Sequence, residues 1–150
     1  MVISGNLGGG IRAAAKLTVR NVSIINNSYD AIDAANNAGS SSVDLRDVIV
    51  TGNDFGVSVQ SRAKILYTTI SNNARGGLSV GSYQCPSKTA VGIKGSTIIN
   101  NANDAACGVT KACADIDSCT KPRVGYTSCD HSHDLDSGIP GADWDVCGLD

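Results

Sequence analysis

The sequence predicts an all-β chain wound as a parallel β-helix of about five short coils and closed by a disulfide-tied, irregular C-terminal cap. Three observations carry that prediction. A short phrase ending in asparagine recurs along the first two-thirds of the chain, and apolar residues sit at fixed offsets from it. Five of the six cysteines crowd into the last 44 residues, all beyond the final copy of the phrase.

The phrase reads Val-Ile-Ser-Gly-Asn, Ser-Ile-Ile-Asn-Asn, Ile-Val-Thr-Gly-Asn, Thr-Ile-Ser-Asn-Asn and Thr-Ile-Ile-Asn-Asn, ending at Asn6, Asn27, Asn53, Asn73 and Asn101. The intervals are 21, 26, 20 and 28 residues, a period that marks a repeat architecture. Eight residues before the asparagine stand Val19, Leu45, Ile65 and Ile93, and ten before it Leu17, Val43, Ala63 and Val91. Three before it stand Ile3, Ile24, Val50, Ile70 and Ile98; after it come Ile11, Ile32, Val57 and Leu78. Apolar positions two apart with polar residues between them are half-buried strands. No window sustains a 3.6-residue period, so each turn reads as three short strands separated by Asn, Gly and Asp corners. Such a coil cannot bury its own core, and stability must come from stacking on its neighbours.

The asparagine has a physical role at its corner. Asn tolerates left-handed backbone angles, and its amide bonds neighbouring backbone. Stacked at one corner, the five amides are expected to hydrogen-bond one another as a structural ladder; the rival reading is a row of amides that binds sugar hydroxyls. The longer intervals carry extra residues at 36–41 and 83–88, both between the second and third strands of their turns. Both loops should therefore leave the same edge, where repeat proteins often bind.

This pattern, V-x-I-x-[GN]-N-x-x-x-G-[IV]-x-V, resembles the right-handed parallel β-helix repeat proteins of the pectate-lyase-like superfamily over residues 1 to about 110. The resemblance implies a right-handed coil. It leaves activity open, since the superfamily holds polysaccharide lyases, glycosidases, tailspikes, adhesins, structural surface proteins and sugar-binding helpers. The stretch from Cys113 through Lys121-Pro122, Cys129-Asp130-His131 and Trp144 to Cys147 is similar to the Cys-containing tails of some secreted members.

Repeats are therefore assigned to residues 1–111 and an acidic, Cys-rich cap to 112–150. Residues 1–112 hold ten Lys/Arg against six Asp, whereas 113–150 hold two against eight, and Glu is absent. A net charge of −2 gives no global electrostatic reason to expect nucleic acid or an anionic membrane as a partner. Cys85, Cys107, Cys113, Cys119, Cys129 and Cys147 read as disulfides, hence an extracellular location, secreted or on a cell surface. Their pairing is open, and zinc is the rival reading. No apolar run is long enough for a membrane span. Met1-Val2-Ile3 begins inside a coil strand, so further β-helix coils or another subunit are expected partners at that end.

Outward positions also stack. Arg20, Arg46, Leu66 and Lys94 form one row, with Lys64 in the next, a basic surface suited to an acidic polysaccharide. The plainer reading is a solvated face. No catalytic residue is assigned: the paired carboxylates of glycosidases have no counterpart in an outward row of Arg12, Asp33, Ser58 and Ser79. Asp130, His131, His133, Asp134 and Asp136 are the candidate metal ligands, for Ca2+ above all. Their spacing departs from the EF-hand form, and an acidic loop is the alternative. Asn21-Val22-Ser23 and Asn26-Asn27-Ser28 are glycosylation sequons. Together these features predict a non-enzymatic extracellular module with a structural, adhesive or assembly role, as the C-terminal part of a longer surface or filament protein. A carbohydrate-active β-helix acting on acidic polysaccharide, lyase-like or sugar-binding, is the alternative.

Overall fold

The computed structural model describes residues 1–34, 41–81, 85, 89–101, 115–137 and 142–147. Among them there are strands and turns but no helix. The strands are β1 (Val2–Ser4), β2 (Ile11–Arg12), β3 (Lys16–Ile25), β4 (Asp30–Ala34), β5 (Ser42–Thr51), β6 (Phe55–Val59), β7 (Arg62–Leu66) and β8 (Thr69–Ser71). They continue with β9 (Leu78–Val80), β10 (Ala90–Lys94), β11 (Thr97–Ile99), β12 (Ile116–Ser118), β13 (Arg123–Gly125), β14 (Ser128–Cys129) and β15 (Ser132–Asp134).

Every pairing between them is parallel, and the chain passes back and forth between two sheets. The six-stranded sheet runs β2-β4-β6-β9-β12-β15, so the chain forms six stacked levels. The nine-stranded sheet is bent: β3 and β5 run through its corner, while higher levels split there into β7/β8, β10/β11 and β13/β14. This stack of parallel sheets is compatible with a β-helix.

The register follows the apolar columns. Ile3, Ile24, Val50, Ile70, Ile98 and Cys129 lie side by side. So do Val19, Leu45, Ile65, Ile93 and Val124, and Ile11, Ile32, Val57, Leu78 and Ile116. Ile24, Leu45, Ile65, Ile70, Ile98 and Ile116 are fully buried. A one-residue slip would turn each strand's apolar set outward, so the columns hold the register.

Two corners repeat in left-handed backbone. Within the bent sheet they are Asn21, Asp47, Tyr67, Gly95 and Tyr126, and before the ladder they are Gly5, Asn26, Gly52, Asn72 and Asn100. Beside the second corner the asparagines form a polar ladder through the stack. Asn6 Nδ2 donates to Asn27 Oδ1 at 2.8 Å, Asn27 to Asn53 at 2.8 Å, Asn53 to Asn73 at 3.1 Å and Asn73 to Asn101 at 2.8 Å. The backbone N–H of each donates to the same oxygen, so both lone pairs of each acceptor are used. The second amide hydrogen goes to backbone carbonyl, as from Asn53 to Ile24 and from Asn101 to Ile70. A shorter hydroxyl ladder, Thr68 N–H to Ser96 Oγ and Ser96 N–H to Thr127 Oγ1, lies past the first corner.

Two expectations need correction. Residues 116–134 are not an irregular cap: they add β12 to β15 to both sheets in register and raise about five coils to six levels. The asparagine phrase is missing from the sixth level because Asp115 takes its rung. Asp115 Oδ1 accepts from Asn101 N–H and Nδ2, and Oδ2 accepts from the N–H groups of Asp130 and His131. A carboxylate has acceptors only, which suits a ladder whose donors all point toward it. The loops expected at 36–41 and 83–88 lie outside the described residues, apart from Ser41 and Cys85.

Replacing Asn73 with Ala should destabilise the chain by about 2–6 kcal/mol, because two buried donors of Asn53 lose their acceptor at about 1–3 kcal/mol each. Urea unfolding measures this; a loss below about 0.5 kcal/mol, the scatter of ordinary surface changes, would show that the ladder is dispensable.

Candidate functional site

Strand alternation sends every second side chain of β3, β5, β7, β10 and β13 outward, and the parallel register lines these up across levels. One outward row is Thr18, Asp44, Lys64, Gly92 and Arg123. Another is Lys16, Ser42, Arg62 and Ala90. Together with Thr89, Thr120 and Lys121 they line an open groove of about 610 Å³. Lys16, Arg62, Lys64, Lys121 and Arg123 bring five cations to it, and Asp44 is the one carboxylate among its lining residues. All five cations are exposed, so they keep their hydration until a ligand arrives.

Of the basic residues singled out from sequence, Lys64 lines this groove. Arg20, Arg46 and Lys94 stand two residues further along, in the row Arg20, Arg46, Leu66, Lys94. Arg46 Nε lies 3.4 Å from Asp47 Oδ2, and its guanidinium lies 5.9 Å from the Tyr67 ring centroid. Lys16, Arg62, Lys121 and Arg123 escaped sequence reasoning. Lys16 and Arg62 share an offset from the asparagine and were readable by extending the alignment one row. Arg123 and Lys121 belong to the level without the phrase.

The acidic tail is spread over several tasks. Asp130 Oδ2 accepts from Asn100 N–H, Asp134 Oδ1 accepts from the N–H groups of Asp136 and Ser137, and His131 is exposed. Among the described residues no group of three or more His, Cys, Asp or Glu is placed to hold a metal ion. His133 instead pairs with Asp117, its neighbour across β12 and β15, with Nδ1 3.1 Å from Oδ1. Burial pushes the Asp117 carboxyl up to about 8, so near neutrality it keeps its proton. His133 Nε2 is buried without a hydrogen-bond partner.

Cys129 bonds Cys147 across 18 residues, and Cys85 bonds Cys119 across 34. Cys107 and Cys113 lie outside the described residues. The first bridge anchors residues 142–147 against the sixth level. Trp144 Nε1–H donates to Ser118 O at 3.1 Å, Val146 is buried, and Ser132 Oγ bonds Asp143. This short strap covers ground that the sequence assigned to a larger cap. Two disulfides fit a non-reducing compartment. No helix of the described residues is long and apolar enough to cross a membrane. The sequon residues Asn21 and Asn26 are both exposed, and the Asn26 amide lies over Gly52, where a side chain would collide with it.

No protein-family model, curated protein or solved structure matches this chain.

Removing the anchor with Cys129→Ser and Cys147→Ser should cost about 3 kcal/mol for a loop of this length and free the edge of the sixth level for self-association. Light scattering on the double variant tests this; a monomer of unchanged stability would show that the strap is not held by its disulfide. The folded chain keeps a proton on Asp117 that the unfolded chain loses above about pH 4. The contribution of Asp117 to stability is therefore fully present below about pH 4 and is lost as pH rises toward 8, with Asp30, also raised by burial, acting in the same direction. Melting temperature should decline from about pH 5 to about pH 8, and less steeply in Asp117→Asn. Equal slopes for the two proteins would remove Asp117 as the cause.

Proposed function

We propose that this chain is a non-enzymatic, extracellular module of right-handed parallel β-helix form, with an adhesive role exerted by holding an acidic polysaccharide in the groove of the nine-stranded sheet. The observation that carries the reading is the charge content of the groove: five cations around one carboxylate, on a chain whose net charge is −2. A negatively charged protein without a local reason for basicity spreads its cations; here they are gathered by register on one face. The right hand is supported by the strong bias of parallel strand connections, and the extracellular setting by the two disulfides.

Ionic holding is the chemistry this face offers. Hydrolysis of a glycosidic bond uses two carboxylates facing each other, and Asp44 stands alone in the lining. The edge formed by β1 and β2, with exposed Met1, Val2 and Leu7, offers strand groups on which another subunit would pair. That pairing suits an assembly role alongside adhesion.

The chain should bind polygalacturonate or alginate without cleaving it, with an affinity that falls as salt is raised, because exposed charges are screened. The triple variant Arg62→Ala, Lys64→Ala, Arg123→Ala should weaken binding roughly tenfold, from three exposed ion pairs worth about 0.2–1 kcal/mol each. Calorimetry with intact polymer and an assay for released ends decide the matter. No binding to any acidic polysaccharide overturns the reading, and chain cleavage overturns its non-enzymatic half.

A further inference from the structure

Tyr67 and Tyr126 occupy backbone positions that tyrosine ordinarily avoids. Both have φ of 49°, in the left-handed region. The same corner at other levels is occupied by Asn21, Asp47 and Gly95, residue types that accept this conformation readily. A bulky side chain there is strained, and strain of this kind persists where it serves a function. Core packing does not account for it, since Tyr67 is 52% exposed and Tyr126 85%.

Their setting is specific. Tyr67 stands at the fourth level, Gly95 at the fifth and Tyr126 at the sixth, so the two tyrosines are two strand spacings apart, about 10 Å. A Cβ on Gly95 would come within 2.7 Å of the Tyr67 ring. Glycine therefore allows that ring to lie along the corner toward Tyr126. The Arg46 guanidinium lies 5.9 Å from the ring centroid and attracts the ring by a cation–π contact. Next to this corner runs the row Arg46, Leu66, Lys94, and the groove row of Lys64 and Arg123 lies three residues away, about 10 Å along the strands.

Cations recur from level to level: Lys16 and Arg20, Arg46, Arg62 and Lys64, Lys94, then Arg123. A linear polyanion lying along the stack passes a level bearing a cation about every 4.8 Å, the cations being spread over three adjacent rows, but it passes no more than two if it lies along a strand. We propose that Tyr67 and Tyr126 form a stacking rim for the pyranose rings of an acidic polysaccharide that runs along the stack axis, its acidic groups on the cation rows and its ring faces on the tyrosines. The C–H face of a sugar ring is apolar and edged with partial positive charge, which matches the negative face of an aromatic ring. A uronate unit carries that face and a carboxylate together. An acidic peptide offers the charge without the flat face.

This inference rests on the groove reading, and the experiment separates the two. Tyr67→Asn with Tyr126→Asn installs the residue found at this corner in Asn21. Its binding is compared with wild type by calorimetry against oligogalacturonate, polyglutamate and single-stranded DNA. The double variant should keep or raise the melting temperature and keep polyglutamate affinity. It should lose oligogalacturonate affinity about tenfold with the same salt dependence, while Tyr67→Phe with Tyr126→Phe behaves as wild type. Unchanged oligogalacturonate affinity in the Asn variant overturns the rim and leaves the groove reading in place. If wild type binds no oligogalacturonate, both fail. Tighter binding to DNA than to oligogalacturonate, lost in the Asn variant, would make bases the ring partner and overturn the sugar assignment.

Discussion

The stack depends on one corner hydrogen bond made over and over. From Asn27 to Asn101, each ladder asparagine accepts two N–H groups from the level before it and donates to the next rung and to backbone carbonyl. Asn53, Asn73 and Asn101 are buried, and a buried amide that missed any of these partners would be costly. That cost makes the corner intolerant of slippage, and the register of both sheets follows from it. The chain of donors has a direction, and a direction needs an end. Asp115 supplies it, with a carboxylate that takes four N–H groups and offers none.

Register in turn creates the face. Lys16, the Arg62 and Lys64 pair, and Arg123 are far apart in sequence, and parallel pairing at one spacing turns them into rows. The same repetition places two tyrosines on one line with a glycine between them. A repeat scaffold converts sequence offset into spatial alignment, so its surface carries a linear pattern that suits a linear ligand. The opposite end of the stack is handled differently: the strap of Trp144 and Val146, held by Cys129 and Cys147, covers an edge that would otherwise invite pairing.

Much of the fold was legible because the columns of Ile, Val and Leu recur at constant offsets, and each offset has one physical meaning in a parallel stack. The sixth level was not legible. Its rung comes from Asp115, which precedes β12 and sits in no asparagine phrase, so an alignment on Asn stops one level short. The groove was half legible: Lys64 stood in a recognised row, but Lys121 and Arg123 belong to the level that the alignment missed. His133 illustrates the converse. Its sequence neighbours suggested a ligand cluster, whereas strand pairing turned it toward Asp117 in another strand.

By itself, then, the sequence determined the all-β character, the parallel stacking and the identity of the core columns. Those depend on local alternation and a repeat distance, which are properties of the chain. Tertiary structure alone decided which cysteines meet, where the ladder ends, which carboxyl is buried against which imidazole, and that Tyr67 and Tyr126 share a strained corner line. Each of these depends on the path taken by turns and loops between levels. Their lengths vary without a period, so only the folded chain shows which side chains they bring together.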